Sequence, residues 1–331
     1  MMGTAVQSGE PVLAVDHLVK HFTLRGSWPW QSNQVVPAVD GISLRLPPMT
    51  TLGLVGESGC GKSTTAKLIL QLLQPDSGEI RLSGESVIRP SKAALERLRR
   101  NAQMVFQDPY ASLTPHLTIG SILREPFLTH RVCSRREIGE RVRAVLAAVG
   151  LHADTAQRYP HELSGGQRQR VGIARAIAIE PRLVICDEPV SALDVSIRSQ
   201  IINLLLDLQQ SRGLAYLFIS HDLDLVAHVS DAVAVMYLGK IVEQSSAKTF
   251  FAGPRHPYSR ALLASSPIPD PRFRLKPAIS GEIGRTAELG RGCRFRNRCP
   301  LAIAHCADVE PELRPIADGH IVACHRAEEV V

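Results

Sequence analysis

Long apolar runs are missing from this sequence of 331 residues. No stretch approaches the roughly 18 to 20 apolar residues that a membrane-spanning helix needs. The first residues, MMGTAVQSGEPVLAVD, contain neither a basic segment nor an apolar core, so they predict no secretory signal. We therefore expect a cytosolic protein.

Dense clusters of Lys and Arg interleaved with aromatic residues are missing as well. Aromatic residues make up 5% of the chain, and its formal net charge of +6 is mild for this length. Such a surface suits an anionic ligand or membrane, but it does not show the footprint of a nucleic-acid binder. We expect no nucleic-acid partner.

What is present is an alternation of short β-rich runs and helical patterns over the first 240 residues. This alternation predicts an α/β domain with a mostly parallel core sheet. Strands are predicted at 51–56, 102–107, 182–187, 215–220 and 231–238, and helices at 62–73, 134–149, 165–179, 196–211 and 222–228. The helix at 134 begins with SRRE, in which Ser134 and Glu137 form a capping box, and it should end at Gly150.

The composition changes after about residue 264. The segment SSPIPDPRFRLKP is rich in proline and basic residues and is typical of a linker. A short cysteine-rich tail follows it. We therefore predict one domain over 1–264, with a helical subdomain at about 108–180, and a small extension over 265–331.

A phosphate-binding loop is predicted by GESGCGKST, which lies between an apolar run and a helical pattern. Glycines let backbone N–H groups turn towards phosphates at a helix N-terminus, Lys62 adds a positive charge, and Ser63 offers a hydroxyl to Mg²⁺. The pattern indicates that the chain binds a nucleoside triphosphate. The predicted contacts are Gly56, Glu57, Ser58, Gly59, Cys60, Gly61, Lys62, Ser63 and Thr64.

A second acidic site is predicted at the end of the run RLVICDEP. Two adjacent carboxylates that follow a buried strand need a cation nearby, because like charges repel there. We expect Asp187 to hold Mg²⁺, and Glu188 to polarise the water that attacks the γ-phosphate.

Further motifs narrow the interpretation: LSGGQRQR at 163–170, SALD at 191–194, SHD at 220–222 and VFQDP around Gln107. In this order and spacing, residues 12–264 resemble the ATP-binding subunit of an ABC transporter. The resemblance implies a P-loop NTPase fold with a mostly parallel core sheet, an antiparallel β part and a helical subdomain.

The resemblance also implies roles for individual residues. Phe22 would stack on adenine. Gln107 would contact Mg²⁺ and the attacking water and would sense the membrane subunit. His221 would contact the γ-phosphate and orient the attack. Glu188, His221, Gln107 and Lys62 would be catalytic. The signature Ser164, Gly165, Gly166 and Gln167, together with Asp194, would act across a dimer interface on the partner's nucleotide.

The motifs YPHELSGGQRQRVGIARA and HPYSRALL are similar to those of oligopeptide, dipeptide and nickel importers. Such importers pair this subunit with a second, paralogous ATPase, two membrane permeases and an extracytoplasmic binding protein. The resemblance implies peptide import at the cytoplasmic face of the inner membrane. The alternative is an ABC ATPase of translation or DNA repair. Against it, the chain has one ATPase unit and no sustained heptads between Lys62 and Ser164.

Four of the seven cysteines lie in the tail: Cys293, Cys299, Cys306 and Cys324, separated by 5, 6 and 17 residues. Their spacing lacks the C-x₂₋₄-C pairs that are usual in zinc sites. Four cytosolic thiols suit a [4Fe–4S] cluster, and the tail resembles those of some relatives that hold one. Nearby arginines would offset the charge of the cluster: Arg291, Arg294, Arg296 and Arg298. Zinc with His305, His320 or His325 and unligated thiols remain alternatives.

Two smaller hypotheses concern single features. The Trp-bearing insertion at 26–34 is either a partner-binding knob or an irregular surface loop. Cys60 lies at a helix N-terminus, where a thiol could become acidic and sensitive to oxidation.

Overall fold

A computed structural model of the protein describes residues 10–24, 34–265 and 291–330. The predicted linker after Ser265 lies outside these residues, as do residues 26–33 of the Trp-bearing insertion. The strands are β1 (Leu13–Leu24), β2 (Gln34–Leu46), β3 (Thr51–Val55), β4 (Ser77–Leu82), β5 (Glu85–Ser86), β6 (Ala102–Val105), β7 (Leu183–Asp187), β8 (Ala215–Ser220), β9 (Ala232–Tyr237), β10 (Lys240–Ser246), β11 (Arg314–Ala317) and β12 (His320–Val322). The α-helices are α1 (Lys62–Ile69), α2 (Lys92–Asn101), α3 (Pro109–Ser112), α4 (Ile119–His130), α5 (Ile138–Ala148), α6 (Gly165–Ile177), α7 (Val195–Arg212), α8 (Leu223–Val229), α9 (Ala247–Ala252), α10 (Pro257–Ala264) and α11 (His305–Asp308).

Among the described residues, the first compact unit contains 10–14, Arg45–Thr51 and Arg81–Phe218. In it, β8, β7 and β6 are neighbours in that order, and β6 runs parallel to β7. All five residues of β7 are buried, as expected for a parallel strand that is covered on both faces. Helices α4, α5 and α6 pack against one another in the same unit.

Among the described residues, the second compact unit contains 15–24, 34–44, Leu52–Ile80, 219–265 and 291–330. Its strands β11, β12, β10, β9 and β3 are neighbours in that order. β3 and β9 are parallel, whereas the other pairs are antiparallel. The C-terminal strands thus join the sheet through β10, where Val322 lies opposite Glu243.

The predicted elements are confirmed to within a few residues, with one exception at α5. Ser134 does not cap this helix, which begins at Ile138. The Glu137 carboxylate still accepts a hydrogen bond from the Ser134 amide at 2.7 Å, but it closes a turn that precedes the helix. The left-handed Gly150 after the helix is confirmed, with φ of +69°.

The sheets are mixed, and within the described ranges no helix combines the length and apolar character that crossing a bilayer requires.

Buried polar groups connect the C-terminal strands to the helix α10. Glu243 is fully buried, and it accepts hydrogen bonds from the backbone amides of Arg255 at 2.6 Å and His256 at 2.9 Å. The His320 ring lies 2.8 Å from the same carboxylate. His256 Nδ1 accepts from the Tyr258 amide at 3.0 Å and so caps α10.

We expect His256 to make the protein sensitive to acid. Burial lowers the pKa of this imidazole to about 3 from an ordinary value of 6.5. Between these two pH values the unfolded chain binds the proton and the folded chain does not. The free energy of unfolding should therefore fall by about 1.4 kcal/mol for each pH unit below 6.5.

Urea unfolding at pH 7.5 and pH 5 measures this effect. His256→Asn keeps an acceptor for the α10 cap and cannot be protonated, so it should lose about 2 kcal/mol less than wild type between these pH values. His116→Asn, which changes an exposed histidine, is the control. Equal acid losses in His256→Asn and wild type would contradict the expectation.

Candidate nucleotide-binding and catalytic site

The predicted phosphate-binding loop connects β3 to α1 in the second unit. β3 is a fully buried strand of five residues, and α1 begins at Lys62 directly after the loop. Gly56, Gly59 and Gly61 have φ values of +152°, +80° and +114°. The loop therefore has the strand–turn–helix context that the sequence predicts.

Lys62 is directed into this loop. Its Nζ donates hydrogen bonds to the carbonyl oxygens of Gly56 at 2.7 Å and Glu57 at 2.9 Å. The side chain is 5% exposed. Its positive charge is thus held inside the curve of the loop, where a phosphate would need it.

Cys60 lacks the surroundings of a reactive thiol. It is 4% exposed, and burial raises its pKa despite the neighbouring Lys62 ammonium. Raising the pKa lowers the fraction of the nucleophilic thiolate. The hypothesis that the helix N-terminus acidifies Cys60 is therefore wrong.

The two acidic residues lie at the end of β7 in the first unit. Asp187 is the last residue of the strand and is 6% exposed. Glu188 follows with φ of +46°, an uncommon backbone conformation for a residue other than glycine. Such conformations persist only where the surrounding structure imposes them, and they cluster at functional sites. The sequence had no signal for this left-handed residue.

Gln107 and Glu188 are brought together from sequence positions 81 residues apart. The Gln107 side-chain amide donates a hydrogen bond to Glu188 Oε2 at 2.9 Å. This contact joins the loop after β6 to the loop after β7, two parallel strands whose carboxyl ends share one edge of the sheet. The acidic site is therefore organised by the pairing of β6 with β7.

The signature segment forms the start of α6. Ser164 caps this helix, because its Oγ accepts from the Gln167 amide at 3.3 Å while Gln167 Oε1 accepts from the Ser164 amide at 3.0 Å. Asp194 precedes α7 and does not cap it with its side chain. Both Ser164 and Asp194 are exposed, which leaves them accessible to another molecule.

His221 and Phe22 belong to the second unit. His221 follows β8 and is exposed, and the next residue, Asp222, caps α8 by accepting from the amides of Asp224 and Leu225. Phe22 lies on β1 with 36% of its surface exposed. Their predicted contacts with the nucleotide stay predictions.

The four cysteines of the tail lie near one another. The Cys293 amide donates to the Cys306 carbonyl at 2.8 Å. Burial, together with the charges of the other three thiols, raises the pKa of Cys293 to about 11. In the part of the chain that the structure describes, however, no group of three or more His, Cys, Asp or Glu side chains could hold a metal ion. The predicted [4Fe–4S] cluster is not confirmed.

Two of the arginines near these cysteines form ion pairs with carboxylates. Arg294 contacts Asp40 and Glu310, and Arg298 pairs with Glu57. Burial raises the pKa values of Cys299 and Cys324, and the charges of Arg326 and Arg314, respectively, offset part of this rise. Carboxylates thus bind two of the four arginines that were expected to offset the charge of a cluster, and that expectation stays a prediction. Among the candidate zinc ligands, His320 is bound to Glu243.

Comparison with known proteins agrees with this geometry. A family model described as ABC transporter matches residues 39–191, and one described as Oligopeptide/dipeptide transporter, C-terminal region, matches residues 242–306. A dimeric ATP-binding cassette solved in a post-hydrolysis state with ADP and Pi superposes with a TM-score of 0.63 at 26% identity, covering 71% of this chain and 98% of that one.

Relatives of nearly the same length are more similar in sequence. A probable peptide ABC transporter ATP-binding protein of Sinorhizobium fredii is 49% identical, covering 96% of this chain and 90% of the relative. The oligopeptide transport ATP-binding protein AppF of Bacillus subtilis is 48% identical, with coverages of 96% and 97%. OppF of Escherichia coli is 45% identical, with 99% of each chain covered. The chain belongs to the ABC transporter family, as an ATP-binding protein that hydrolyses ATP to power transport.

Proposed function

We propose that this protein powers the import of oligopeptides from the cytoplasmic face of the inner membrane. The contact between Gln107 and Glu188 carries the proposal. It supports a site where the carboxylate that activates water is tied to the residue that senses a membrane subunit. The peptide substrate is supported by the names of the relatives and by the matching C-terminal region.

The chemistry we propose is positioning and electrostatic stabilisation of phosphoryl transfer. Lys62 binds the β- and γ-phosphates, Glu188 accepts the proton of the attacking water, and His221 orients the attack. Ser63, Gln107 and Asp187 offer the oxygen donors that Mg²⁺ prefers, and the ion neutralises phosphate charge when bound. Phe22 stacks on the adenine ring.

The partner in a dimer is proposed to be a second, paralogous ATPase. Exposure of Ser164 and Asp194 supports a dimer, because exposed residues can face a neighbouring subunit. Ser164, Gly165, Gly166 and Gln167 would then bind the nucleotide held by the partner's P-loop. Two permease subunits and an extracytoplasmic binding protein complete the proposed importer.

Pull-down of Glu188→Gln protein with ATP from gently solubilised native membranes tests the proposal. This variant should trap the ATP-bound complex, so two multi-spanning proteins and a second ATPase should be recovered. Recovery of ribosomes or DNA-repair proteins without membrane subunits would instead support the alternative function, which the relatives do not favour.

An iron–sulfur cluster held by Cys293, Cys299, Cys306 and Cys324 is a separate proposal. The hydrogen bond from the Cys293 amide to the Cys306 carbonyl, at 2.8 Å, supports it by holding two of the four cysteines next to each other. The cluster would stabilise the C-terminal extension, which is too short to form a large hydrophobic core of its own. Iron and acid-labile sulfide in anaerobically purified protein would support the proposal, and their absence from protein with a protease-resistant C-terminal region would refute it.

A further inference from the structure

The second residue of the P-loop is held by an arginine from the C-terminal region. Arg298 Nη1 and Nη2 donate to the two carboxylate oxygens of Glu57, each at 2.8 Å. The two residues are 241 positions apart in the chain and belong to the same compact unit. A two-pronged contact of this kind fixes direction as well as distance, because the planar guanidinium matches the carboxylate.

The backbone of Glu57 is held by the same part of the molecule. Its amide donates to the Tyr258 hydroxyl at 2.9 Å. Tyr258 is fully buried, and its ring lies against those of Tyr237 and Phe295, with centroids 4.5 and 5.5 Å away. Arg298 Nη1 also lies 3.4 Å from the Tyr237 hydroxyl. Packing among these aromatic rings restricts the movement of Tyr258 and Arg298, the two side chains that hydrogen-bond to Glu57.

The segment that carries Arg298 is itself anchored. Four residues earlier, Arg294 contacts Asp40 and the carbonyl of Leu238, and it donates to Glu310 at 3.1 Å. Phe295 is 2% exposed. Arg298 therefore belongs to a segment that is held by Arg294 and Phe295, and its side chain is only 7% exposed where it contacts Glu57.

Glu57 passes this constraint to the phosphate-binding loop. Its carbonyl oxygen accepts the hydrogen bond from Lys62 Nζ at 2.9 Å. One residue thus joins the C-terminal arginine, through its side chain, to the P-loop lysine, through its backbone. A loop that is held in its binding conformation binds its ligand more tightly, because it loses less conformational freedom on binding.

We propose that Arg298 is a positioning residue for nucleotide binding, which holds the first turn of the P-loop through Glu57 and lets the C-terminal region set the affinity for ATP. Arg298 touches neither the reacting phosphate nor the attacking water in this role. Its loss should therefore weaken ATP binding and leave the chemical step nearly unchanged once ATP saturates the site.

The test is the affinity for MgATP, measured calorimetrically on the full chain, with kcat at saturating ATP as a second readout. Arg298→Ala should raise Kd about tenfold, equivalent to about 1.4 kcal/mol, while kcat changes less than twofold. Glu57→Ala should have a similar effect, and the double variant should bind ATP about as weakly as either single variant. Arg298→Lys should recover part of the affinity, since an ammonium keeps the charge but loses the planar two-pronged fit.

Arg314→Ala is the matched control. Arg314 makes the same two-pronged contact with Glu328, at 2.6 and 2.8 Å, in the same region of the chain. That pair does not involve the P-loop, so Kd should equal that of wild type. This comparison separates a general effect of removing an ion pair from an effect on the loop.

Two results would overturn the proposal: an unchanged Kd in Arg298→Ala, or fully additive effects in the double variant. Should Arg298→Ala melt below the assay temperature, Arg298→Lys and Glu57→Gln decide instead, because they preserve side-chain size. Wild-type affinity in both would equally refute the role. The measurement concerns ATP binding alone, so its outcome is independent of which molecule is transported.

Discussion

Glu188→Gln should reduce kcat for ATP hydrolysis at least 100-fold and leave the affinity for MgATP within about threefold of wild type. Glutamine matches glutamate in size, and its amide can keep a hydrogen bond to the Gln107 side chain, which lies 2.9 Å from Glu188 Oε2. What the substitution removes is the carboxylate that accepts a proton from the attacking water. General-base catalysis of this kind contributes about 10² to 10⁴ in rate.

The measurement is steady-state phosphate release beside equilibrium binding of MgATP. Glu180→Gln is a matched control, because Glu180 shares the left-handed backbone of Glu188, with φ of +55° against +46°. The Glu180 side chain is 71% exposed and forms a surface ion pair with Arg141, so its substitution should leave kcat unchanged. If Glu188→Gln retained more than a tenth of wild-type turnover, Glu188 would not be the base.

The nucleotide-binding loop could be predicted because its information is local. An apolar strand, three glycines and a helix start are consecutive in the sequence, and each requires only its neighbours to form. The same holds for the signature, where Ser164 and Gln167 cap a helix three residues apart. The sequence therefore predicts both anion-binding helix starts from a few residues each.

Contacts that depend on distant residues could not be predicted. Nothing near Arg298 in the sequence indicates that it pairs with Glu57 rather than with the charge of a metal cluster. β12 has only three residues and forms because it pairs with β10. A strand this short is not detected from alternation of apolar and polar residues. The left-handed backbone of Glu188 is a further example, since it lies in a loop after β7 that contacts the loop after β6.

Cys60 shows how a correct motif can lead to a wrong electrostatic expectation. The sequence places its thiol beside Lys62 at a helix start, and both features favour a thiolate. Packing decides otherwise, because the side chain is 4% exposed and burial raises its pKa. Desolvation is a property of the folded surroundings, which the motif alone does not contain.

Gly61→Ala should lower the affinity for MgATP at least about 100-fold, or about 2.7 kcal/mol. Gly61 caps α1 with φ of +114°, a conformation that side chains with a Cβ rarely adopt. A Cβ at this position would also lie 2.2 Å from the carbonyl oxygen of Ala38. Backbone atoms cannot yield as a flexible side chain does, so the loop has to move away from the position in which Lys62 meets the carbonyls of Gly56 and Glu57.

Gly59→Ala separates the two causes, because Gly59 has φ of +80° but nothing within 4 Å of an added Cβ. That variant should incur only the strain of a left-handed residue, about 1 to 2 kcal/mol of stability, and keep ATP affinity within about tenfold. Calorimetric titration with MgATP, beside thermal melts without nucleotide, measures both. Equal losses of affinity in the two variants would mean that backbone strain alone accounts for the loss. The close approach of Gly61 to the Ala38 backbone would then have no part in holding Lys62 in place.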